Sequence, residues 1–198
     1  MARSAVRDRR RWIFVVGAIV VLFMLAVSIL SAFYIDLLWF REVGFSAVFW
    51  SLLRTKILLG FAFALLFFVL LFANLLIVRR LAPRYRVLSP EQEIIERYRM
   101  AFEPYLKWVL PLLCAAIALL VGIGASRQWE QFLLWRNSSG VGFGVSDPLF
   151  HRDPSFYIFD LPFLKFVQGW LFSAFVGVTL LVAIGHYLWG GIRPQGPG

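Results

Sequence analysis

Residues Trp12 to Tyr34 read WIFVVGAIVVLFMLAVSILSAFY, an apolar run without a single charged side chain. A helix rises 1.5 Å per residue, so about 20 such residues cross the hydrocarbon of a bilayer. Working outward from this run, the chain holds three more of the same kind, Ile57 to Val78, Trp108 to Ala125 and Phe166 to Trp189. Lys56 and Arg79 bound the second run, Lys107 and Arg127 the third, and Lys165 and Arg193 the fourth. In lipid a backbone must satisfy its own hydrogen bonds, which makes these spans helices. The expected fold is therefore an all-α integral membrane protein with four transmembrane helices, 12–34, 57–78, 108–125 and 166–189, joined by interfacial loops.

Composition excludes a soluble globular domain. Of 198 residues, 61% are hydrophobic and 16% charged, against about 45–50% and about 25% in ordinary domains. A core of this size cannot hide 21 Phe and 8 Trp, because small domains leave much of their surface exposed. The basic start followed by an apolar run could suggest a signal peptide, with Ala26-Val27-Ser28 as a passable cleavage site. The run is too long for that: a signal h-region spans about 7–15 residues.

Orientation follows from Lys and Arg, which accumulate in cytoplasmic segments. Residues 1–11, 79–107 and the tail after the fourth span carry thirteen of the 20 cations. The two remaining loops carry Arg41, Arg54 and Lys56, then Arg127, Arg136, Arg152 and Lys165. A multipass protein of the cell membrane with both termini cytoplasmic is expected. The net charge of +9 is accounted for by this topology, so nucleic acid is not expected as a partner.

Helix faces supply the next expectations. Gly169, Ser173 and Gly177 recur every four residues on the fourth span, with Gly185 further along, and Cys114, Ala118 and Gly122 do so on the third. Small residues let helices approach closely, so these two spans are expected to form a tight pair, or the fourth to meet a second copy or further helices. Pro111 should kink the third helix near the carbonyl of Lys107. No Asp, Glu, Lys or Arg lies inside any span, which leaves a proton or ion pathway little to build from. His186, beside Tyr187 and Trp189, reads as an interfacial side chain.

The inner loop carries Arg79, Arg80, Arg84 and Arg86, a cluster suited to anionic lipid at about 1 kcal/mol per cation. Ser89-Pro90-Glu91-Gln92 then predicts the start of a short helix reaching about Glu103, with Ile94, Ile95, Tyr98, Ala101 and Phe102 on its apolar side and Glu93 and Arg97 as an i,i+4 pair. On the outer side, Leu37 to Phe45 suits the interface, and Trp129, Phe132 and Trp135 are expected to carry the third helix outward. Asn137-Ser138-Ser139 matches a glycosylation sequon, and the run through Gly140 predicts a turn.

The outer segment DPLFHRDPSFYIFDLPF, Asp147 to Phe163, concentrates Asp147, His151, Arg152, Asp153 and Asp160 among aromatic residues and three prolines. No long regular helix is expected through it. Two carboxylates and one imidazole lack a fourth ligand, so no metal is expected. Arg152 is instead expected to pair with Asp147, Asp153 or Asp160, forming a structural clasp over the outer helix ends.

At these residues the chain resembles a family of bacterial multipass membrane proteins, the uncharacterised protein family 0182. The resemblance lies in Asp147-Pro148, Phe150, Arg152-Asp153, Ser155-Phe156-Tyr157, Phe159 and Leu161-Pro162-Phe163. Leu38-Trp39-Phe40, Glu42-Val43-Gly44-Phe45 and Gly190-Gly191-Ile192-Arg193 agree as well. The resemblance implies a longer protein, typically of seven N-terminal spans followed by a large extracytoplasmic domain, of which 1–198 is the N-terminal part. It assigns no activity and no catalytic residue. No nucleophile with its base and no phosphate loop is present, so neither enzymatic activity nor a cofactor is expected. The expected role is to anchor or organise an extracytoplasmic module, with part of a membrane transporter as the alternative.

Overall fold

A computed structural model describes residues 2–81 and 90–189, with side chains described for 12–81, 105 and 107–189. The elements are α1 (Ala2–Glu42), α2 (Ser46–Leu81), α3 (Pro90–Ser126), α4 (Trp129–Asn137), a π-helical turn (Phe156–Asp160) and α5 (Leu161–Leu188). The described residues contain no strand. Four helices are long and apolar enough to cross a membrane: Trp12–Glu42, Ser46–Leu81, Lys107–Ser126 and Phe156–Leu188. The all-α, four-span architecture is thus what the fold displays, with longer helices than the charge-free runs.

The chain divides into two compact units, Met1–Leu53 and Arg54–Gly198. In the first, α1 runs past Tyr34 to Glu42, because Asp36 and Arg41 are tolerated on a helix and the first true stop is Gly44. Gly44 adopts φ 79°, a left-handed conformation that costs glycine little. Its N–H donates to the Arg41 carbonyl at 3.2 Å, and the Phe45 N–H donates to that of Phe40 at 2.8 Å. These two bonds make a Schellman cap, which satisfies carbonyls the helix end would leave open. The chain reverses at once into α2. Phe49 is buried, with its ring 5.4 Å from Phe33 and 5.6 Å from Phe40.

In the second unit each of three helices contributes one stripe to a common core. Phe67, Leu71 and Leu75 come from α2, Leu110, Cys114 and Ala118 from α3, and Ala174 and Val178 from α5. The small α3 residues make room for the larger α2 side chains, so the layers interdigitate as close packing requires. Phe63 of α2 sits edge-on to Trp170 of α5 at 4.7 Å.

Three expectations are corrected here. The inner helix and the third span are a single helix, since α3 runs unbroken from Pro90 to Ser126; Pro104 and Pro111 each remove a donor without ending it. The side chains of Ile94, Ile95, Tyr98, Ala101 and Phe102, the Glu93–Arg97 pair, Arg84, Arg86, Ser89 and the Gly190–Arg193 stretch lie outside the described residues. Secondly, α3 does not extend to Trp135. It ends in a turn in which the Gln128 N–H donates to the Ala125 carbonyl at 3.0 Å, and α4 restarts at Trp129.

The third correction concerns the tight helix pair. Built on the backbone, a Cβ at Gly169 or Gly177 would meet nothing within 4 Å, so this face does not pack on α3. Gly122 of α3 instead meets α2, where a Cβ would overlap the Gly60 carbonyl oxygen and come 2.7 Å from the Ala64 Cβ. A Cβ at Gly185 would lie 3.0 Å from Leu75 Cδ2. An i+4 row turns by about 40° per step, so a stripe that starts open at Gly169 has swung to the α2 side by Gly185.

Candidate functional site

The segment between α4 and α5 brings several polar side chains together, and its geometry begins with two Asp-Pro steps. Asp147 Oδ2 accepts the Phe150 N–H at 2.9 Å, a local side-chain turn of the kind Asp favours. The backbone then closes on itself: the Asp147 N–H donates to the Arg152 carbonyl at 2.8 Å and the His151 N–H to the Asp147 carbonyl at 2.9 Å. Closing so small a ring puts His151 at φ 53°, the left-handed region that non-glycine residues seldom enter. The Tyr157 hydroxyl adds a bond to Asp147 Oδ2 at 3.0 Å.

Asp153 ties two stretches together. Its carboxylate accepts the N–H groups of Phe143 at 3.0 Å, Gly144 at 3.1 Å and Ser155 at 2.8 Å. Gly144, at φ 71°, lets successive amides turn toward one anion. Asp160, inside the π turn, accepts the Ser138 hydroxyl at 2.8 Å, which holds the end of α4 against the start of α5. The Ser155 and Phe143–Gly144 amides and the Ser155 hydroxyl hold the Asp153 carboxyl below its ordinary value. The Phe150 amide chiefly does the same for Asp147. Charge-assisted bonds of this kind favour the ionised form.

Arg152 is not the partner of these carboxylates. Among the described residues its guanidinium makes no ion pair with Asp147, Asp153 or Asp160; it lies 5.2 Å from the Phe156 ring centroid. Asp147, Asp153 and Asp160 bond instead to backbone amides and hydroxyls, which cost less side-chain entropy to order than a long guanidinium arm. Nor do Asp147, His151 and Asp153 converge, since the described residues contain no cluster of three His, Cys, Asp or Glu able to hold a metal.

The helix expectation is also revised. From Pro154 onward the segment is helical, passing through the π turn directly into α5. The Leu161 N–H reaches back to the Phe156 carbonyl, and this widened turn, together with the place of Pro162 at the start of α5, accommodates a proline that a plain α-helix would resist. Beneath the loop, Phe163 is buried with Trp135 stacked on it at 4.9 Å and Phe132 edge-on at 5.5 Å. An open cleft of about 480 Å³ runs along α4, with Trp129, Glu130, Asn137 and Phe159 in its wall.

Tyr157, Ser138, Ser155 and the Phe143–Gly144 amides are members of this site that the sequence reading missed. Asp-Pro followed by further turn residues at 147 and 153 is the signal that points to them, since it marks carboxylates that bond their own neighbourhood.

Four helices long and apolar enough to span a membrane, with a hydrogen-bonded loop between the third and fourth, define a multi-span helical protein as the class. Within it, the chain belongs to the Uncharacterised protein family (UPF0182), whose family model matches residues 12–196. A UPF0182 protein of Streptomyces coelicolor is 41% identical over 192 residues, 97% of this chain and 19% of that protein. One of Frankia alni is 45% identical over 163 residues, 82% of this chain and 16% of the relative. A third, from Frankia casuarinae, is 38% identical over 197 residues. The chain spans about a fifth of the length of these curated relatives. No solved structure matches it.

Proposed function

We propose that this chain is a plasma-membrane assembly whose helices anchor and organise a module on the outer face, with both ends in the cytoplasm and no catalytic role. One observation carries the reading: the three aspartates of this loop, Asp147, Asp153 and Asp160, each accept bonds that fasten it to its own backbone or to the neighbouring helix ends. Carboxylates spent on holding local backbone suit a rigid platform. The cation asymmetry between loops supports the orientation. Arg79 and Arg80, exposed at the end of α2, and the arginines that follow suit anionic lipid of the inner leaflet. The open Gly169, Ser173 and Gly177 face suits a second copy or further helices.

Reporter fusions test it. One at the C-terminal end should be active in the cytoplasm and one inserted at Ser139 should be active outside; the reverse pair would overturn the orientation and with it the outer-face role.

A further inference from the structure

Where α2 and α3 cross, three small residues stand in for side chains. Gly60, Ala64 and Gly122 bring the backbones together and leave a groove of about 340 Å³ beside them, walled by Phe61, Leu119 and Ile123. That volume lies within the range of about 300–1,000 Å³ typical of ligand sites. The groove is apolar along its length and carries one cation, Lys56, just before the charge-free part of α2 begins. The Lys56 ammonium lies 4.9 Å from the Trp129 ring centroid and has no carboxylate partner among the described residues. The ring holds the cation in place without neutralising it.

We propose that this groove seats one acyl chain of a phospholipid whose headgroup phosphate rests on Lys56; this builds on the membrane reading above. A docked apolar helix would bury the ammonium without a counter-charge, which is costly. A phospholipid supplies an apolar tail and an anion in the order the groove requires. Trp129, an aromatic of the kind enriched at headgroup level, marks the depth at which the two meet.

The test uses the chain in nanodiscs of phosphatidylglycerol, released into native mass spectrometry. One phosphatidylglycerol should remain bound. Lys56→Gln should lower its occupancy about tenfold, as loss of one charge-assisted bond implies, and Leu119→Trp, which fills the groove from an exposed position, should do likewise. Lys165→Gln, outside the groove, should leave it unchanged. Equal retention by all four proteins would overturn the site. Equal retention of diacylglycerol, which has no phosphate, would overturn the role of Lys56, and displacement by inorganic phosphate would show a free-anion site. Dimers without lipid would make the occupant a second copy. Failure of the chain to enter nanodiscs at all would overturn the membrane reading instead.

Discussion

Gly122 of α3 faces Gly60 of α2 so closely that a Cβ on Gly122 would overlap the Gly60 carbonyl oxygen, while one on Gly60 would lie 3.1 Å from the Gly122 carbonyl oxygen. Backbones this near gain dispersion along their whole crossing, and the site is backed by backbone atoms that cannot swing aside. Gly122→Ala is expected to destabilise the chain by about 1–3 kcal/mol through overpacking. Gly124→Ala, whose added Cβ meets nothing within 4 Å, should be neutral. Thermal unfolding in detergent compares the two.

Gly177→Leu should leave the unfolding temperature of the isolated chain unchanged, because that face is open. Oligomer size in the same detergent is the second readout. A shift to smaller species would show that the face joins copies, and a drop in unfolding temperature would contradict the packing described.

The clasp should respond to Asp153 more than to Arg152. Asp153→Ala leaves three amides without their acceptor, so hydrogen exchange should accelerate across 143–155. Arg152→Ala removes only a cation–π contact, worth about 0.5–1 kcal/mol at an exposed site, and should change exchange far less. Equal acceleration by both variants would restore Arg152 as the fastener.

Acid should open the loop. The carboxyls of Asp147 and Asp153 are held below their ordinary value of 3.8, so they bind protons less readily folded than unfolded. Their contribution is fully present above that value and is lost as pH falls through the lowered folded values. Protection of the amides at 143–155, taken from exchange corrected for its intrinsic pH dependence, should be flat from pH 7 down to about pH 5 and fall only below the ordinary carboxylate range.

Phe163 gathers Trp135, Phe132 and Phe166 around one ring and is 6% exposed. Phe163→Ala is expected to cost about 3–5 kcal/mol and to free α4 from α5, which the fluorescence of Trp135 would report.

Much of this architecture was legible in the residues because span length and charge-free runs are imposed by the bilayer rather than by partners. Helix ends were less so. Tyr34 and Asp36 mark a change of polarity, whereas helices stop where backbone carbonyls find other donors, as at Gly44. The Asp-rich block after α4 could be singled out, but the hydrogen-bond partners of its carboxylates could not. Opposite charge favoured Arg152, while the fold chose amides that only a closed ring around Asp147 and a positive φ at Gly144 bring into reach. The partner of the Gly122 stripe was equally hidden, since sequence gives a face its small residues without saying which helix arrives there.

The π turn at Phe156–Asp160 works like an inserted letter in a reading frame. One extra residue per turn rotates everything before it by about 100° relative to everything after it. At the start of the π turn, Tyr157 is keyed to the loop through Asp147; beyond the turn, Phe163, Ala174 and Val178 are keyed to the bundle. A single-residue deletion here would set Pro162 inside a plain α-helix and mismatch its two halves. The segment is a coupling between two separately indexed faces, so this stretch would tolerate substitutions more readily than any change in its length.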